Sequence, residues 1–445
     1  MLKGNKYLLI SSLVAAMGGF LFGFDTVVIS GAERSIQELF NLNDFWHGFT
    51  VAIALIGTII GTIVAGKPAD RFGRKKVLIF ISVLYMVSAL GSALANQWEM
   101  FLFYRFLGGV GVGATSVIGP MYIAEISPAK IRGKMVALFQ FNIVFGVLIS
   151  FLSNYIIAGV VEIDAWRWML GIETIPAAIF FFSLFLIVPT PRWLVVKGRV
   201  EEAKKVLIKL GENEVEEKIR IITIAIENEQ KKTHSQLFTK FTIVPVSLAM
   251  LIAIFNQFTG INAIMYYTPR IFEIAGLEYT SALGQSVAIG ITNMIFTIIA
   301  MSIIDKVGRK KLLLIGSVGM SLTLGMVAMA FFNPGFGGTL VLLGLILYIA
   351  FFAASQGAVI WVYISEIFPN RIRFKGQTLG SLTHWLFAAM ISWLFPAIVS
   401  TSAERSGYAF TFFAIMMVIQ LVVVYKFFPE TKGKSLEQIQ SDFGL

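Results

Sequence analysis

The chain contains no cysteine. That excludes a disulfide framework and thiolate chemistry. Histidine is almost as scarce: His47, His234 and His384 are scattered, and no His/Asp/Glu cluster has metal-ligand spacing. No nucleophile can be paired with a base, so no enzyme, cofactor site or metal site is expected. Charge is thin as well, at 14% Asp, Glu, Lys and Arg against 57% hydrophobic residues in 445 positions. A water-soluble chain of this size could not cover so much apolar surface.

Long apolar runs are what the chain does have. About twelve of them approach the ~20 residues needed to cross ~30 Å of hydrocarbon. They lie near 7–30, 47–66, 77–95, 99–122, 135–158, 168–188, 243–267, 282–304, 312–332, 339–363, 376–400 and 407–428. The first run has no small-residue cleavage signal and holds Asp25, so it reads as a retained span. The glycine cluster GGVGVG at 108–113 sits inside an apolar run with no strand before it. Close helix packing explains it better than a dinucleotide fingerprint.

The net charge of +10 is spread unevenly. If successive loops alternate sides, every Lys and Arg falls on one side except Arg34, Arg105, Arg167, Arg270 and Arg405. The positive-inside rule then places both termini in the cytoplasm and argues against nucleic-acid binding. The polar stretch 189–242 carries Val200, Ala203, Val206, Leu207 and Leu210 on one helical face. It is read as a cytoplasmic linker with short amphipathic helices or, given the charge density from Glu212 to Lys232, as a solvated linker with partial helix. The tail after Pro429 is read as ending in a short helix.

Two duplications organise the chain. GKPADRFGRKK at 66–76 returns as DKVGRKK at 305–311, with Asp70 to Asp305 spanning 235 residues. AEISPAKIRG at 124–133 returns as SEIFPNRIRF at 365–374, with Glu125 to Glu366 spanning 241. The expected fold is therefore all-α and membrane-embedded, with twelve transmembrane helices in two pseudo-symmetric six-helix bundles. The bundles are 1–188 and 243–428, joined by the linker 189–242 and followed by a tail at 429–445.

Charges within spans cost roughly 2.5–3.5 kcal/mol each near the bilayer centre. Asp25 in span one and Arg105 in span four would offset each other's cost if they met. Low dielectric favours the neutral form of a carboxyl group, so such a pair can act as a proton-biased switch, or it can be a static ion pair. Glu173 is placed where span six opens, near the interface, which favours a structural role. Neutral polar residues collect in the second half: Asn256, Gln257, Asn262, Asn293, Gln356, Trp361, His384 and Trp385, with Gln140 and Asn142 in the first. Gln257 and Asn262 would lie about 140° apart on a straight helix, but Gly260 between them can break it. Amides suit the vicinal hydroxyls of a sugar, and tryptophan suits its C–H face. The lack of cations in this set disfavours anionic substrates.

These features resemble the sugar porter family of the major facilitator superfamily. The likeness runs from GFLFGFDTVVISG at 19–31 through PADRFGRKK at 68–76, YRFLGGVGVG at 104–113, PTPRWLVVKGR at 189–199, NQFTGINAIMYYTP at 256–269 and WVYISEIFPNRIR at 361–373 to FPETKGKSLEQI at 428–439. It is similar in particular to bacterial proton-coupled xylose and hexose symporters, which carry Asp at the position of Asp25. The resemblance implies alternating access to a monosaccharide and proton coupling through Asp25 and Arg105. It implies sugar contacts at Gln140, Gln257, Asn262, Asn293 and Trp361; Asn256, His384 and Trp385 join them on the reading above. It also implies a cytoplasmic gate from Asp70, Arg74, Glu125, Arg132, Arg309, Glu366 and Arg373. Four positions depart from the pattern: Asn256 replaces a usual Gln, His384 a frequent Gln or Asn, GAVIW at 357–361 a proline-rich run, and Pro189-Thr190-Pro191-Arg192 the usual Pro-Glu-Ser-Pro-Arg. The expected partners are a sugar, a proton and the lipid bilayer, with no obligate protein partner. The alternative is a facilitative uniporter of the same fold.

Overall fold

The structure is a computed structural model that describes residues 6–230, 237–239, 242–369, 372–434 and 438. His234 and most of the tail expected to form a short helix lie outside the described residues. Among the described residues there are helices and no strands.

Twelve helices among the described residues are long and apolar enough to cross a membrane. In order, spans one to six are Lys6–Leu39, Asp44–Val64, Arg74–Leu94, Trp98–Ile126, Arg132–Val160 and Ala165–Leu186. Spans seven to twelve are Ile243–Ile274, Tyr279–Val307, Arg309–Phe332, Gly337–Glu366, Lys375–Val399 and Ala403–Phe427. Most helices outrun the apolar segments that predict them. Span one, expected near 7–30, continues to Leu39 and stops only before Asn41, whose φ is +48°. Apolar length measures what lipid must cover, whereas a helix ends where its backbone hydrogen bonds end.

Three spans are interrupted. Span six consists of helices Ala165–Gly171 and Thr174–Ser183 and a 3₁₀ turn at Leu184–Leu186. Span seven breaks between Ile243–Phe258 and Ile261–Ile274, where Gly260 adopts φ +83°. A side chain there would meet both the left-handed backbone penalty and the ring of Phe413, 2.6 Å from an added Cβ. Span ten breaks at Ser355 (φ −128°, ψ −90°), between Gly337–Ala354 and Gln356–Glu366. The sequence duplication is repeated in the backbone: Gly73 (φ +88°, ψ +150°) and Gly308 (φ +104°, ψ +158°) turn the chain into Arg74 and Arg309, the first residues of spans three and nine.

Packing divides the chain into two compact units. One comprises Met1–Thr26, Gly57–Val147 and Leu170–His234; the other comprises Val27–Ile56, Leu148–Met169 and Ser235–Leu445. In the first, the glycine cluster lies within the span-four helix, where a Cβ on Gly113 would strike the Thr58 carbonyl of span two. The cluster is thus a helix-packing surface. The same unit holds the helices Pro191–Val196, Val200–Lys209 and Val215–Gln230. Ala203, Val206, Leu207 and Leu210 are buried in its core beside Trp193 and Leu194. In the second unit, Ile252, Leu313, Val359, Tyr363 and Phe368 form part of a separate core.

Candidate functional site

Span one reaches its charged residue along a glycine edge. Added Cβ atoms on Gly19 and Gly23 would collide with the carbonyls of Phe139 and Ile143 in span five. Gly108 of span four leaves a Cβ only 3.5 Å from Asp25 Oδ1. This close packing brings Arg105 onto Asp25: Nη1 donates to Oδ1 at 2.6 Å and Nη2 to the Asp25 carbonyl at 3.3 Å. Both residues are 2% exposed. Glu173 differs from its predicted place. Span six begins at Ala165, so Glu173 falls inside it, 2% exposed, and interacts electrostatically with both Asp25 and Arg105. With two carboxyl groups and one guanidinium, these three residues are neutral together only when one carboxyl holds a proton.

The break at Gly260 joins the two amides that a straight helix would separate. Asn262 Nδ2 donates to Gln257 Oε1 at 2.7 Å, and Gln257 Nε2 donates to Asn256 Oδ1 at 3.0 Å. Gln257 Nε2 also lies 3.2 Å from His384 Nδ1. The His384 ring packs against Trp361 and Trp385, each centroid 4.8 Å away. Trp361 is the open member of this group at 38% exposed; Asn256, Gln257, His384 and Trp385 are buried. Asn293 is buried on span eight and Gln140 half-buried on span five; neither has a side-chain hydrogen bond among the described residues. Asn142 is tied to the Leu138 carbonyl of its own helix at 2.8 Å.

The duplicated motifs give matching ion pairs, one within each unit. Arg74 Nε donates to Glu125 Oε1 at 3.0 Å and Nη1 lies 3.2 Å from Asp70. Arg309 binds Glu366 through Nε and Nη2 at 3.1 and 2.8 Å, with Asp305 at 2.9 Å. Arg132 is exposed, and Arg373 Nε donates to the Phe368 carbonyl at 3.4 Å. Neither takes part in an ion pair among the described residues. Glu430, within the tail motif, accepts from the backbone N–H groups of Arg309 and Lys310 at 2.9 and 3.1 Å, capping span nine with a negative charge.

One cluster escaped sequence reasoning. Glu33 (span one) is 2% exposed, with His47 Nε2 (span two) 2.6 Å away and Arg270 Nη1 (span seven) donating at 3.0 Å. Arg270 also donates to Gln37 at 2.8 Å, and Arg34 pairs with Glu273 at 2.6 Å. Glu33, Arg34, Gln37, Arg270 and Glu273 border a cavity of about 420 Å³. Their only sequence signal is that Arg34 and Arg270 are among the few cations on the sparsely charged side.

A family model described as "Sugar (and other) transporter" matches residues 11–443. The chain belongs to this family. It is a multi-pass membrane transporter of the major facilitator fold and not an enzyme. It is 37% identical over 473 residues to the D-xylose-proton symporter of Escherichia coli, covering 98% of this chain and 96% of that one. It is 35% identical over 442 residues to the arabinose-proton symporter of Bacillus subtilis, covering 98% and 94%. Among solved structures, the inward-open xylose transporter XylE of Escherichia coli superposes with a TM-score of 0.87 at 36% identity, over 98% of this chain and 99% of XylE.

Proposed function

We propose that this transporter carries a monosaccharide, a pentose or a hexose, across a cell membrane by alternating access, coupled to entry of a proton. The observation that carries the reading is the buried Asp25–Arg105 pair. Protonation of Asp25 removes the charge that holds Arg105, which frees spans one and four to rearrange; Glu173 supplies a second carboxyl that can share the proton. Asn256, Gln257, Asn262, Asn293, Gln140 and His384 offer hydrogen bonds to sugar hydroxyls, and Trp361 and Trp385 offer apolar faces. The skew of Lys and Arg toward one side supports cytoplasmic termini. Asp70, Arg74 and Glu125, and Arg309 and Glu366, would then stand at the cytoplasmic end as the gate, with Arg132 and Arg373 available to it.

Protein reconstituted in vesicles tests the coupling. An inward proton gradient is expected to drive D-xylose or D-glucose above its outside concentration. Asp25→Asn is expected to abolish accumulation while equilibrative exchange survives. Uphill accumulation retained in full by Asp25→Asn would overturn the coupling, and equilibration without accumulation by the unmodified protein would make it a uniporter.

A further inference from the structure

The paired amides of span seven are the near end of a longer chain. Asn256 Nδ2 donates to Gln356 Oε1 at 3.4 Å, its longest link. Gln356 Nε2 donates to Gln420 Oε1 at 2.7 Å, and Gln420 Nε2 donates to Ser317 Oγ at 2.8 Å. Ser317 Oγ donates in turn to the Leu313 carbonyl at 2.7 Å. Spans seven, ten, twelve and nine each contribute. Gln356 is the first residue after the break at Ser355, and Gln356, Gln420 and Ser317 are fully buried.

The chain has a direction, and one atom sets it. A primary amide is nearly symmetric in shape, so each Asn and Gln can turn over and exchange acceptor for donor. The Leu313 carbonyl can only accept, so the Ser317 hydroxyl must donate to it. Ser317 then offers Gln420 only a lone pair, which selects the Gln420 NH₂. That choice turns the Gln420 oxygen toward Gln356, the Gln356 oxygen toward Asn256, the Asn256 oxygen toward Gln257 and the Gln257 oxygen toward Asn262. Asn262 spends its NH₂ on Gln257, and its Oδ1 has no hydrogen-bond partner among the described residues; the side chain is half-buried. A turned-over chain would present an N–H donor there instead.

We propose that Ser317, Gln420 and Gln356 are positioning residues of the sugar site. They touch no sugar themselves and fix which amide atoms span seven presents to it, an acceptor at Asn262 Oδ1 above all. This rests on the reading of Gln257 and Asn262 as sugar contacts. Removing the anchor leaves buried amides free to adopt either orientation, and only one is competent to bind. Sugar affinity therefore falls, while the rearrangement that moves bound sugar does not depend on the anchor.

The test is sugar transport by the full-length chain in vesicles, with D-xylose and D-glucose as probes. Ser317→Ala and the volume-conserving Gln420→Met are each expected to raise KM about five- to thirty-fold and leave kcat within about two-fold, as the loss of one buried hydrogen bond would. Ser317→Thr keeps the hydroxyl and its bond to the carbonyl one turn back, so it is expected to keep a near-normal KM. A packing role predicts the reverse order, with Ala tolerated and the larger Thr harmful; that outcome overturns the proposal. Should Ser317→Thr fail to fold, as read from its Tm in detergent, Ser317→Ala combined with Gln420→Met decides. Both cut one chain, so the double variant is expected to be no worse than the weaker single variant, whereas independent losses would multiply and overturn the proposal. Gln257→Ala separates the two readings. If it destroys binding while Ser317→Ala and Gln420→Met behave normally, the relay fails and the site stands. If Gln257→Ala also behaves normally, the site itself lies elsewhere.

Discussion

At the scale of single residues, the structure sorts buried polar groups by what satisfies them. Asp25 and Arg105 were legible in the sequence because isolated charges in apolar runs are costly and demand partners. Gln420 stands equally alone in span twelve, but a neutral amide costs less and does not announce a function. Glu173 was misplaced because the apolar run beginning at 168 hides three further helical residues. Glu33 shows most directly what a partner does. It is buried with His47 and Arg270, so Arg270→Met should leave its carboxylate without the cation that balances it. A loss of about 3–5 kcal/mol is expected from breaking a buried pair on one side. The matched double variant Glu33→Gln/Arg270→Met should recover part of this. Thermal unfolding in detergent checks both, and equal Tm values for the single and double variants would rule out the charge-balance explanation.

At the scale of elements, the breaks matter more than the helices. Gly260 turns span seven so that Gln257 and Asn262 meet. Gly260→Ala must hold a positive φ at a cost of roughly 1–2 kcal/mol and also displace Phe413. Sugar binding is expected to fall more steeply than folding stability, measured by equilibrium binding beside Tm. Glu430 is a cap supplied from the opposite end of the second half. Glu430→Gln keeps the shape and loses the charge, so span nine should weaken by about 0.3–1 kcal/mol; amide hydrogen exchange at Arg309 and Lys310 reads it directly. Unchanged protection at those two amides would show that the charge contributes nothing.

At the scale of the whole molecule, the duplication recurs as geometry. Gly73 and Gly308 share a backbone conformation, and Arg74–Glu125 and Arg309–Glu366 share a pairing. The two copies are not equivalent. Arg309 has Asp305, Glu366 and a capped N-terminus around it, with Thr431 also donating to Glu366 at 2.6 Å. The skew of basic loops gives an orientation to test. A reporter active only in the cytoplasm should give signal when fused at either end of the chain, and signal from only one end would break the alternating-loop assignment.

The sequence by itself determined the class of molecule, the number of spans, the duplication and the residues too polar for lipid. These follow from run length, composition and the cost of burying charge, which are properties of each segment alone. Only the tertiary structure decided which polar groups meet. Asn256 and Gln356 are 100 residues apart, Gln420 and Ser317 are 103 apart, and Glu33 and Arg270 are 237 apart. A hydrogen bond reaches about 3 Å and carries no mark along the chain, so such pairs become visible only once the helices that bear them are packed.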